Sequence, residues 1–146
     1  MVAGLHTRGK PYEAKAWNIA TVAANRFQPE LDTHDRFGKR IDRVEFHPAY
    51  HEIMGAAICG GVAGLSWATQ AWQLPEVGAH VARAALSYLH HQVEPGSSCP
   101  LTMTHAAIPA LRRESALREW ADKAVTPHYD PRELPIAEKP GCTLAM

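Results

Sequence analysis

The order of apolar and polar positions divides the chain into helical stretches separated by one long irregular connection. Residues 12–25 are Ala-rich, with Trp17, Ala20 and Ala24 spaced for one helical face, and Pro29 closes the stretch. Residues 28–46 mix charges without a sustained period and carry the turn signal Asp35-Arg36-Phe37-Gly38, which predicts a long connecting loop. His47-Pro48 marks the next helix start, because proline at the first helical position gives up only an amide that would be unpaired anyway.

Residues 53–75 contain no formally charged side chain. Gly55, Gly60, Gly61, Gly64, Ser66, Thr69, Gln70 and Gln73 dilute the apolar residues too far for favourable transfer into lipid, so no membrane span is predicted. Ala56, Gly60, Gly64 and Ala68 recur every four residues as a stripe of small side chains, which predicts a buried central helix closely approached by another. Glycine disfavours an isolated helix by about 1 kcal/mol relative to Ala, so packing has to hold it.

Residues 76–94 give the clearest amphipathic pattern. Val81, Ala85 and Tyr88 flank Ala82, Leu86, Leu89 and Val93 on a wide apolar face, opposite a polar stripe of His80, Arg83, Ser87, His90 and Glu94. Pro95-Gly96-Ser97-Ser98 breaks the chain, and Ser97 or Ser98 caps a further helix over 100–112. A last helix is predicted over 114–124. Pro127, Pro131, Pro135 and Pro140 then punctuate an extended tail, whose final residues Cys142-Thr143-Leu144-Ala145-Met146 resemble the opening of a strand without a partner. The fold class is therefore all-α, a bundle of about five helices with a long loop and an extended C-terminal tail.

Composition adds exclusions. A chain of 146 residues that is 46% hydrophobic and 21% charged is an ordinary globular domain, large enough to fold without disulfides or a metal. Fifteen basic residues balance fifteen acidic ones, which removes the broad electrostatic footprint of a nucleic-acid binder. Cys59, Cys99 and Cys142 are odd in number and lack CxxC spacing, so neither a disulfide framework nor a zinc knuckle is indicated. A reducing compartment follows, and with no apolar leader at the N-terminus the predicted location is the cytoplasm.

Candidate chemistry is sparse. His47 and His51 share a helical face but lack a third ligand, so capping and packing explain them better than a metal. His90 and His91 diverge by about 100 degrees, so they cannot share a target. His90 and Glu94 form an (i, i+4) pair whose simplest reading is a solvated ion pair. Cys99 near a helix start has no hydrolase-like histidine beside it. The mixed charges at Arg112, Arg113, Glu114, Arg118, Glu119, Asp122 and Lys123 describe a solvated helix. No dinucleotide fingerprint, P-loop or nucleophile elbow is present, and no catalytic or metal-ligating residue is assigned.

Three segments nevertheless carry a resemblance. They are Arg40-Ile41-Asp42-Arg43-Val44-Glu45-Phe46-His47-Pro48-Ala49-Tyr50-His51; then Gln92-Val93-Glu94-Pro95-Gly96-Ser97-Ser98-Cys99-Pro100-Leu101-Thr102-Met103-Thr104 with Ala106 and Pro109; then Tyr129-Asp130 through Leu134-Pro135 to Glu138-Lys139, Gly141 and Met146. On these the chain resembles the N-terminal helical domain of acyl-CoA dehydrogenase flavoproteins, most closely their alkylation-response (AidB-type) branch.

The resemblance implies that residues 1–146 form one helical domain, with 126–146 leading toward a middle β-domain. In that family FAD lies between the β-domain, a C-terminal helical domain and a neighbouring subunit. A C-terminal glutamate removes the α-proton of an acyl-CoA thioester while the flavin accepts the β-hydride. The flavin loop would follow a segment like Leu144-Ala145-Met146. This chain alone is thus expected to hold no FAD and to need the remaining domains or a complementary chain, in an intact homo-oligomer. An acyl-CoA-type ligand is implied, whereas the basic region that meets DNA in the AidB-type branch would lie elsewhere. Glu94, Ser98, Cys99, Thr102 and Met103 carry over as lining of the acyl pocket. That role places Glu94 inward, while the amphipathic pattern puts it on the polar stripe. A different class of function is a free-standing helical interaction module that kept the fold without catalysis.

Overall fold

His47 sets the entry to the best-buried helix. The computed structural model describes residues 14–145, and the side chains from residue 20 onward. The first two positions of the predicted opening helix, the packing of Trp17 and the last residue, Met146, lie outside the described residues. Within them, α1 spans Ala14–Arg26, β1 Glu30–His34, β2 Arg40–Glu45, α2 Pro48–Cys59, α3 Ala79–Val93, α4 Ser98–Leu111 and α5 Arg118–Ala124.

His47 Nδ1 accepts the Ala49 N–H at 3.1 Å, with Pro48 at the first position of α2. One face of α2 is sealed: Ile53, Met54, Ala56, Ala57 and Ile58 are all buried. Met54, Ala57 and Ile58 join Val62, Ala63 and Leu101 in one cluster, and Ile53 and Ala49 meet Ala20 of α1 in another. Ile108 of α4 packs with Ala124 and Val125 at the end of α5.

The central helix expected across 53–75 stops at Cys59. Gly61 at φ +86° closes it: Gly61 N–H donates to the Ile58 carbonyl and Val62 N–H to the Ala57 carbonyl, both at 3.0 Å. This paired arrangement satisfies carbonyls that a helix end leaves open, and it needs a residue that adopts left-handed geometry cheaply. Two 3-10 turns, Leu65–Trp67 and Thr69–Trp72, follow. The small stripe is therefore split between helix, turn and 3-10 segments. Gly64 still permits close approach, since a Cβ there would lie 2.8 Å from the Val125 carbonyl oxygen.

Residues 28–46 are not a loop, and the fold is all-α only approximately. β1 and β2 form an antiparallel hairpin with Leu31 opposite Val44 and Asp32 opposite Arg43. The Asp35 to Gly38 turn is present as predicted: Asp35 Oδ1 accepts the N–H groups of Phe37 and Lys39, and Gly38 takes φ +81°. Both strand faces are exposed, so the period-2 signature of a half-buried strand has no reason to exist.

α3 begins at Ala79, after Gly78 in left-handed geometry, later than residue 76. Its orientation is the main departure from amphipathic reasoning. Ala79 and His90 are buried and Arg83, Leu86 and Ser87 half-buried, whereas Val81 is 74% and Tyr88 70% exposed. Arg83 Nε reaches inward to the Val62 carbonyl at 2.7 Å, beside the turn that ends α2.

α4 opens at Ser98, two residues before the predicted start, and carries Pro109 within its last turn. A 3-10 turn, Ser115–Leu117, leads into α5. The tail has the predicted proline spacing but folds back on the helices instead of opening a strand: among the described residues, 142–145 are irregular. Cys142 N–H donates to the Lys123 carbonyl at 3.3 Å and Leu144 N–H to Thr104 Oγ1 at 2.9 Å. Among the described residues no helix is long and apolar enough to cross a membrane.

Candidate functional site

The break between α3 and α4 concentrates buried polar groups. Glu94 ends α3 in extended geometry (φ −147°, ψ 102°), which swings its side chain off the helical stripe and back over the next helix start. It is only 4% exposed. Glu94 Oε1 accepts the Gly96 N–H at 2.8 Å and Oε2 the Ser97 N–H at 2.6 Å. Ser97 Oγ pairs with His90 Nε2 at 2.7 Å, one α-helical face up the chain. Pro95 and Gly96 thus turn the last member of the stripe inward, and His90 was already facing the core.

These contacts set the local electrostatics. Burial favours the neutral Glu94 carboxyl, but hydrogen bonds from Ser97 and Gly96, helped by nearby His90, outweigh it and lower its pKa below the ordinary value. Burial lowers the pKa of His90, with Glu94 opposing that shift and His91 adding to it. The (i, i+4) pair is therefore a buried element of the helix break and not a solvated ion pair.

The other four predicted lining residues lie along the first turns of α4. Ser98 is half-buried, its hydroxyl 3.0 Å from His91 Nδ1. Cys99 and Thr102 are exposed, and Met103 is half-buried with its Sδ 4.0 Å from Cys99 Sγ. The structure brings the five together around one helix start.

An open cleft of about 980 Å³ lies beside this start, between β2, the N-terminal half of α2 and the tail. Phe46, Tyr50, His51, Met54, Pro100 and Tyr129 form its apolar and aromatic part, and none of the five predicted residues lines it. Phe46 stacks on Tyr50 with ring centroids 4.3 Å apart, and the Tyr129 hydroxyl meets His51 Nδ1 at 2.7 Å. His47 and His51 are thus spent on a cap and on Tyr129, and among the described residues no cluster of three His, Cys, Asp or Glu could hold a metal. Tyr50 joins the two regions: burial raises its pKa first, and the charges of Glu94 and Cys99 raise it further. Sequence reasoning gave Tyr50 and Tyr129 no role, although both sit in the quoted segments, because their pairing spans a separation visible only in the fold.

At the cleft rim Arg43 pairs with Glu133 at 3.1 Å and Arg132 with Asp130 at 2.7 Å. The Arg132 side chain holds the Asp130 carboxyl down at a pKa of about 2. These pairs stand at the solvent edge, with the Arg43, Glu133 and Arg132 side chains more than half exposed.

Five helices, one exposed hairpin and a buried polar break between α3 and α4 define a helical domain of known type. The same fold occurs in the crystal structure of Caenorhabditis elegans ACDH-11 in complex with C11-CoA, with a TM-score of 0.67 and 19% identity over 77% of this chain and 20% of that one. The chain itself belongs to the AidB N-terminal domain family, since residues 2–131 match the model of the adaptive response protein AidB N-terminal domain. It is 42% identical over 125 residues to the Escherichia coli (strain K12) protein named "Putative acyl-CoA dehydrogenase AidB", covering 84% of this chain and 22% of that protein. The chain thus spans about a fifth of the length of these relatives.

Proposed function

We propose that this chain is the N-terminal helical domain of an acyl-CoA dehydrogenase-like flavoprotein and supplies one wall and the floor of its acyl pocket. The carrying observation is the buried, hydrogen-bonded break at Glu94, His90 and Ser97, which fixes the start of α4 and with it Ser98, Cys99, Thr102 and Met103. In this reading residues 1–146 form one domain, and 126–146 lead toward a β-domain. Thr104 pins that tail beside α4 through Leu144, so the chain leaves the domain next to the proposed lining.

Within such a protein FAD would supply hydride acceptance. This chain's residues shape the space for the acyl group and exclude water from it, and flavin chemistry belongs to the other domains. Titrating the labelled chain with octanoyl-CoA against free CoA tests the reading: amides of Ser98, Cys99, Thr102 and Met103 should respond to the acyl ligand and not to CoA alone. Equal responses, or none, would reject it.

A second reading is favoured by one observation. Val81 and Tyr88 on α3, with Val77 at 92% exposed in the turn before it, leave apolar surface uncovered. A free-standing interaction module would use such a surface for an unrelated protein. Co-purification separates the two, since a partner bearing acyl-CoA dehydrogenase β- and C-terminal domains supports the first reading only.

A further inference from the structure

We infer that Glu94 is the built-in anion of the α4 N-terminus: a positioning residue that fixes the helix start carrying Ser98, Cys99, Thr102 and Met103 and meets no ligand itself. Its functional meaning rests on the acyl-pocket reading, while the geometry is local to this chain.

A helix start leaves N–H groups without partners, and a serine at the capping position normally accepts one of them. Here Ser97 occupies that position in helical geometry (φ −72°, ψ −12°) and makes no capping bond, and its hydroxyl pairs with His90 Nε2 at 2.7 Å. The preceding glutamate takes over the task. Each oxygen of its carboxylate receives one backbone N–H, Gly96 at 2.8 Å and Ser97 at 2.6 Å, at the positive end of a 14-residue helix. Gly96 is part of the fit, since a Cβ there would lie 2.8 Å from Glu94 Oε1. Its titratable neighbours are His90 on α3 and Tyr50 on α2, with His91 acting in turn on His90 and Cys99 on Tyr50. Each Glu94 oxygen is engaged by a backbone N–H, and the residue is 4% exposed, so little of it faces solvent. The helix end already holds an anion, so it has no site left for a ligand's phosphate, and the neutral acyl portion is what suits the adjoining turn.

The test follows Glu94 in the isotopically labelled chain. The Glu94 carboxyl and the Gly96 and Ser97 amides should titrate together at one midpoint below 4.5, the ordinary value. Glu94→Gln, which loses the charge and one acceptor, should abolish that step and lower the melting temperature by about 3–8 °C. Glu94→Ala should regain part of that loss in formate, to which the native chain stays indifferent. Added octanoyl-CoA should leave the Glu94 midpoint in place. The inference is overturned if Glu94 titrates at its ordinary value without moving the two amides, if formate fails to help Glu94→Ala, or if octanoyl-CoA shifts the Glu94 carboxyl. Should the variants fail to fold, the native titration alone decides it. If octanoyl-CoA moves none of Ser98, Cys99, Thr102 and Met103, the acyl-pocket reading fails, and the titration still judges the cap.

Discussion

The hydroxyl of Thr104, fully buried in α4, accepts the backbone N–H of Leu144 at 2.9 Å while it lies 2.7 Å from the Pro100 carbonyl one turn earlier. One side chain thus links the first turn of α4 to the far end of the described tail. Thr104→Val keeps the shape and removes both bonds, leaving the Leu144 amide without a protein partner. We expect a cost of about 1–3 kcal/mol in urea unfolding, together with faster proteolysis after residue 140. Thr104→Ser should keep the tail protected. Equal protease sensitivity in native and Val chains would show that Thr104 does not hold the tail.

Gly61 and Gly78 both adopt positive φ, +86° and +81°, yet they differ in surroundings. A Cβ at Gly61 would lie 2.8 Å from the Leu65 side chain, whereas at Gly78 it would meet nothing within 4 Å. Both Ala substitutions incur left-handed strain of about 1–2 kcal/mol, and only Gly61→Ala adds overpacking. Chemical denaturation should therefore rank Gly61→Ala as the more damaging, and the reverse order would contradict the helix-ending role assigned to Gly61.

The same glycine explains what sequence patterning could and could not show. The helix start at His47-Pro48 was legible because capping is local chemistry. The extent of α2 was not: a four-residue stripe of small side chains reads as a helix face until one glycine takes a left-handed turn. The hairpin hid because neither of its faces is buried, which removes alternation. α3 was located correctly but rotated, with Leu86 of its apolar face kept against the core, since Arg83 and His90 find inward partners in Val62 and Ser97 that lie on other elements. For the candidate site, the motif segments pointed to the α3–α4 break, where Glu94 and Ser97 lie buried. The Glu94 cap is made by contacts only two and three residues away, but it is hidden because the helical stripe assigns Glu94 to solvent; that Tyr50 and Tyr129 face a shared cleft depends on long-range packing.

Acid should weaken the fold in two stages. Burial lowers the pKa of His51 and is the largest cause for His90 and His105 as well. The unfolded chain takes those protons near the ordinary 6.5, so it binds more protons than the native state between the lowered values and 6.5. Their stabilising share is intact above about 6.5 and declines as pH falls through that window. Glu94 and Asp130 are also lowered, from 4.5 and 3.8, the latter to about 2, so their share is lost at still lower pH. Melting temperatures recorded from about pH 8 to about pH 2.5 should fall in these two steps. His90→Gln, which can still hydrogen-bond Ser97, should flatten the upper step. A melting temperature that stays constant or rises on acidification to about pH 5 would contradict the burial-lowered pKa values of these histidines.

The rotated α3 gives the sharpest contrast between pattern and structure. If the apolar stripe were the core face, Val81→Lys and Tyr88→Lys would place charges in the interior and cost several kcal/mol each, on the order of the penalty for an unpaired buried charge. In the observed orientation both positions face solvent, so each substitution should stay within about 0.5 kcal/mol of the native chain. Arg83 behaves oppositely. It stands on the polar stripe, yet its Nε serves the Val62 carbonyl next to the turn that closes α2, and its stem packs inward. Arg83→Ala strips that carbonyl of its donor and opens a gap behind Val62, which should cost about 1–3 kcal/mol. Measuring the three variants by urea denaturation decides the orientation in one experiment: Arg83→Ala is expected to be the most destabilised, and the opposite ranking would place the apolar stripe of α3 inside.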